Sequence, residues 1–104
     1  MSGGSTMDNF VNVNIAKLTS FRGVKVDGTG PSIRVPGIGD ISADALEEAG
    51  IMTPLQLLGQ YLALADEDAF VQWATELGCI EWRLRDPTKG TVVALRQICE
   101  KLFS

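Results

Sequence analysis

A chain of 104 residues, 45% apolar and 21% charged, suits one globular domain with a modest core and leaves no room for a second. No apolar run approaches the roughly 18 residues needed to cross a bilayer, and the start lacks the basic and apolar regions of a signal peptide, so we expect a soluble intracellular protein. The absence of histidine excludes Ser-His and Cys-His nucleophile pairs. The formal charge of −4 is uneven: residues 36 to 82 carry nine acids and no base, while the nine bases all lie toward the two ends.

In chain order, Met1 to Thr6 (Met-Ser-Gly-Gly-Ser-Thr) reads as a flexible leader or tag remnant, with Met7 as a second candidate start. Residues 1–30 form an N-terminal arm in this reading. Within it Val11, Ile15 and Leu18 fit a helical stripe, whereas Val11, Val13 and Ile15 alternate as a strand would; with Asp8 as a cap we read a short helix. The run Asp27-Gly28-Thr29-Gly30-Pro31 is a loop by composition, and residues 31–104 then form a helical domain. Pro36-Gly37-Ile38-Gly39 is a tight turn ahead of a helix from about Asp40 to Ala49, which Gly50 stops.

Thr53, Pro54 and Gln56 give a cap, a first-turn proline and a capping-box partner for a helix reaching about Ala65. Its Leu55, Leu57, Leu58, Tyr61, Leu62 and Leu64 spread too widely for one stripe. That apolar surface exceeds what a small subunit can cover, which predicts a homodimer. Asp66 caps the next helix, where Phe70, Trp73 and Leu77 form a row ended by Gly78. Ile80, Trp82 and Leu84 read as a connecting segment, and Asp86-Pro87 as the opening of a last helix carrying Val92, Leu95, Cys99 and Leu102. The expected fold is all-α: a compact bundle of about five short helices.

Val35-Pro36-Gly37-Ile38-Gly39-Asp40-Ile41-Ser42-Ala43-Asp44-Ala45-Leu46 has the pattern of a helix-hairpin-helix. Two glycines flank one apolar anchor, and the amides opening the second helix point outward as anion ligands. The functional reading is a grip on one DNA strand that ignores sequence. The plain structural alternative is a sharp turn between packed helices.

Leu57-Leu58-Gly59-Gln60-Tyr61-Leu62, Asp66-Glu67-Asp68, Phe70 with Trp73, Leu95-Arg96 and Leu102-Phe103 follow the hairpin in order. Over residues 35 to 104 the chain thereby resembles the barrier-to-autointegration factor family. The resemblance implies a SAM-like helical subunit, a two-fold dimer bridging two DNA duplexes, a groove for LEM-domain-like proteins, and a place in nucleus and cytoplasm at chromatin or the nuclear envelope. By position it implies DNA-backbone contacts at Gly37, Ile38, Gly39, Ile41 and Ser42, with Thr88 and Lys89 at the start of the last helix. It puts the dimer or partner contact at Leu57, Leu58, Gln60, Tyr61 and Leu64. The departure lies in the hairpin's second helix. There the family carries lysines and this chain carries Ser42, Ala43, Asp44 and Ala45, then Glu47 and Glu48; fewer neutralised phosphates mean weaker binding. The same fold without DNA, acting as a protein-contact module, is the alternative.

Cys79 and Cys99 lack neighbouring ligands for zinc and read as small buried thiols, so no metal or cofactor is expected. Asp66, Glu67 and Asp68 are the one conceivable catalytic cluster. Acids that start a helix are usually caps, and we expect no enzyme. Trp73 belongs to an apolar row and reads as core, whereas Trp82, beside Arg83 and Arg85, is the better candidate for a ligand or partner surface.

Overall fold

Helix boundaries here follow local hydrogen-bond chemistry. The computed structural model describes residues 6–28 and 30–103. Residues 1–5, Thr29 and Ser104 lie outside the described residues, and with 1–5 goes most of the run from Met1 to Thr6 that reads as flexible; Thr6 itself begins α1. Six α-helices and no strand occur among the described residues: α1 Thr6–Asn12, α2 Asp40–Glu48, α3 Pro54–Leu64, α4 Glu67–Leu77, α5 Glu81–Arg85 and α6 Thr91–Phe103. The fold is an all-α bundle, as the hydrophobic spacing predicts.

The capping box of α3 forms as read. Thr53 accepts from the Gln56 amide at 3.2 Å, and the Gln56 side chain accepts from the Thr53 amide at 3.3 Å. That helix ends at Ala65, whose φ of 56° is left-handed. Asp66 then accepts from the Asp68 amide at 2.9 Å and opens α4. Two residues, Ala65 and Asp66, therefore turn α3 into α4, and the two helices pack on each other.

Two boundaries differ from expectation. Ile80, Trp82 and Leu84 do not form an open connection, because the Arg83 and Leu84 amides both donate to the Ile80 carbonyl at 3.1 Å and close α5. Nor does Asp86-Pro87 open the last helix. Asp86 accepts from the Thr88 and Lys89 amides, each at 2.9 Å, which forms a self-contained turn, and α6 starts only at Thr91. Gly90 closes that turn: a Cβ there would lie 2.7 Å from the Leu84 carbonyl oxygen.

The described part of the arm is built into the body. Its helix ends at Asn12 and is followed by one-turn 3-10 helices at Ile15–Lys17 and Val26–Gly28 and one antiparallel bridge between Val24 and Ile33. Phe10, Ile15, Leu18 and Phe21 are buried in the same cluster as Leu46, Leu57, Phe70 and Leu95. Each such side chain contributes roughly 1.5–3 kcal/mol on burial, so residues 10 to 21 are structural members of the bundle. No helix is long and apolar enough to cross a membrane among the described residues.

Candidate nucleic-acid interface

The hairpin turn is held from both sides. Gly37 has φ +83°, a left-handed conformation in which an L side chain is strained, and a Cβ there would meet the Thr91 hydroxyl and lie 2.7 Å from the Arg83 carbonyl oxygen. The Thr91 hydroxyl donates to the Pro36 carbonyl at 2.6 Å in a fully buried bond. Ile38 is the buried anchor, 4% exposed, and its own amide donates to Val35 at 3.1 Å. Ile38 therefore fixes the turn, and its N–H is not available to a ligand.

Next comes Gly39, the N-cap of α2, with ordinary extended backbone (φ −91°) and no side chain to cap the helix. The first helical bond runs from the Ala43 amide to the Gly39 carbonyl at 2.9 Å. The amides of Asp40, Ile41 and Ser42 accordingly have no acceptor within the helix. This contrasts with α3 and α4, whose N-caps Thr53 and Asp66 both bond back. Ile41 is 70% exposed beside these amides. Ser42 differs from a surface contact: its side chain is buried, its hydroxyl has no hydrogen-bond partner among the described residues, and the Cys79 thiol lies close enough to feel it. Burial pushes that thiol up, and Ser42 offsets part of the rise.

Charge around the turn is largely neutralised within the molecule. Arg22 pairs with Asp40 at 3.5 Å, Glu47 at 3.3 Å and Asp44, while Arg34 pairs with Asp40 at 3.1 Å. Asp44 and Glu47, two of the acids that stand where lysines were expected, are thus clamped to Arg22 of the arm. Arg85 and Arg96 are likewise paired, with Asp68 and Glu67. Arg83 is the exception: among the described residues it is the one arginine without a carboxylate partner. Its guanidinium would lie 3.3 Å from a Cβ on Gly39 and sits over the Trp82 ring, 5.3 Å from the centroid.

Arg83 is the site residue that sequence reasoning missed. Residues 39 and 83 meet only through tertiary packing, and the one local signal was its place beside an exposed tryptophan. Thr88 and Lys89 occupy the exposed turn leading into Thr91. They are bonded to Asp86 rather than to the hairpin, and they are not first-turn residues of a helix.

On α3, Leu57 and Leu58 are 1% and 3% exposed and pack into the subunit's own core. They hold the helix in place and offer no surface to a partner. Gln60, Tyr61 and Leu64 are half-buried, whereas Leu55 and Leu62 are exposed at 46% and 44%. The three acids at the start of α4 are also engaged: Asp66 caps the helix, Asp68 binds Arg85, and Glu67 accepts from Arg96 at 2.8 and 2.9 Å and from the Tyr61 hydroxyl at 3.0 Å. Trp73 packs against Phe70, while Trp82 is 67% exposed. No group of three potential metal ligands occurs among the described residues. No protein-family model matches the chain, and none of the curated proteins matches it.

Proposed function

We propose that this chain binds double-stranded DNA by its backbone, without reading base sequence, and does so as a homodimer that bridges two duplexes. The observation that carries the reading is the uncapped start of α2, presented by the Gly37-Ile38-Gly39 turn with the unpaired Arg83 guanidinium against Gly39. Amides and a guanidinium at a turn reach phosphate oxygens. They do not reach the base-edge patterns that distinguish sequences.

The dimer half of the proposal rests on α3. Leu55 and Leu62 are seven residues apart and share a helix face. Gly59 lies on that face between them, with nothing within 4 Å of the position a Cβ would take. Two copies can approach closely across such a strip in an isologous contact.

A second reading, a protein-contact module of the same fold, is favoured by the pairing of Arg22 and Arg34 with α2 carboxylates, which removes two cations from any phosphate. One titration separates the two. Labelled blunt duplexes of unrelated sequence should bind equally, and Gly39→Glu and Arg83→Glu should each weaken binding at least about tenfold while circular dichroism stays helical. With Arg83 as the cation beside the turn, the log–log salt slope should be shallow, about 0.9 per neutralised phosphate. If both folded variants bind duplex as tightly as wild type, the hairpin is only a turn and the protein-contact reading takes its place.

A further inference from the structure

We infer that Trp82 and the depression beside it seat an unpaired nucleobase of a DNA strand whose phosphate lies at the hairpin; this rests on the DNA reading above. The indole is 67% exposed on a helix of five residues, and Leu84, two positions on, is buried at 1%. Leu84 anchors α5, so Trp82 is not needed to hold the helix down. One face of the ring carries the Arg83 guanidinium. The indole also borders a shallow depression whose other walls are Glu81, Arg85, Asp86 and Pro87.

Charge sorts the two ends of a nucleotide across this surface. Toward Gly39 lies Arg83, a cation with no carboxylate partner among the described residues. Around the depression the charges are mostly acidic: Glu81 accepts from Arg85 at 3.0 Å, and Asp86 uses one oxygen for the Thr88 and Lys89 turn. A phosphate is therefore drawn to the Arg83 side and repelled from the depression. A base is accommodated there, with its π-face on the indole and the proline ring. Carboxylate oxygens at the rim accept from exocyclic amino groups, which adenine, cytosine and guanine all carry. The guanidinium spans the gap from Gly39 to the indole, so one strand can engage both. Bases stacked inside a duplex hide their faces, and the seat accordingly selects ends, gaps or overhangs.

The experiment compares a blunt duplex with the same duplex carrying a short single-stranded overhang, by fluorescence anisotropy of a label on the far end. Wild-type protein should bind the overhang substrate about tenfold more tightly, the effect of roughly one stacked base. Trp82→Leu should bring the ratio of the two affinities to about one, and Trp82→Phe should retain part of it. Equal wild-type affinities, or a preference that persists in Trp82→Leu, would overturn the nucleobase seat while leaving duplex binding intact. Failure of wild type to bind either substrate would overturn the DNA reading, and the seat with it.

Discussion

Two backbone positions in this fold carry opposite stresses. At Gly37 the left-handed φ and the approach of Thr91 and Arg83 leave no space for a methyl group, so Gly37→Ala should destabilise by about 2–3 kcal/mol. At Ala65 the chain adopts φ 56° with a β-carbon already present, in the position where helices most often place glycine. Ala65→Gly should therefore stabilise by about 0.5–1 kcal/mol, because removing the β-carbon relieves the left-handed penalty at an exposed site. Urea denaturation of both variants beside wild type tests the pair. A neutral Gly37→Ala would show that the turn relaxes freely, and the account of its rigidity would fail. Gly39 has no such strain, which makes Gly39→Glu a probe of binding and Gly37→Ala a probe of folding.

Among elements, the pairing of α3, α4 and α6 through Tyr61, Glu67 and Arg96 predicts a pH signature. The Arg96 guanidinium first, and the Tyr61 hydroxyl after it, hold the Glu67 carboxyl below its usual range, whereas burial acts in the other direction. A depressed carboxyl stabilises the fold above its unfolded value, and that stability is lost as pH falls through the folded value. Because 40% of the Glu67 side chain is exposed, screening limits the contribution to about 1 kcal/mol or less. Tyr61 is pushed up to about 12, by burial first and by Glu67 second. Its contribution is present below pH 10, the unfolded value, and is lost as pH rises toward 12. With one tyrosine in the chain, phenolate absorbance reads this group alone. Glu67→Gln should lower its midpoint part of the way toward 10 and flatten the acid limb of stability; an unchanged midpoint would show that the two groups are not coupled.

The elements also show where sequence is legible. Thr53, Pro54 and Gln56 define the start of α3 because a capping box is chemistry between near neighbours. Asp86-Pro87 carries the same kind of signal, yet its carboxylate closes an isolated turn, since the close pass of Gly90 against Leu84 breaks the chain before α6 begins. Ile80, Trp82 and Leu84 alternate as a strand or connector would, and five residues are too few for a helical period to declare itself. Ser42 and Leu57 illustrate the same limit for the site. A small serine suits either side of a helix and a leucine suits either a core or an apolar contact with a partner, and only packing decides which side of the helix faces inward.

For the whole molecule, bridging requires two copies, and the α3 strip offers a direct way to separate binding from bridging. Gly59 faces open space within one subunit, so Gly59→Met meets no neighbour there and improves helix propensity by about 0.5–1 kcal/mol. In a dimer packed across Leu55, Gly59 and Leu62, however, the added side chain holds the two helices apart. The variant should therefore be at least as stable as wild type as a subunit, yet elute near the 11.2 kDa monomer where wild type runs at twice that mass by light scattering. The hairpin is untouched, so a single labelled duplex should still bind. Capture of a second duplex on bead-bound DNA should be lost, because each monomer holds only one hairpin. If Gly59→Met remains a dimer and still bridges, the two-fold contact does not run along this strip. Were wild type itself monomeric at tens of micromolar while still binding duplex, the hairpin proposal would stand and the bridging proposal would fall.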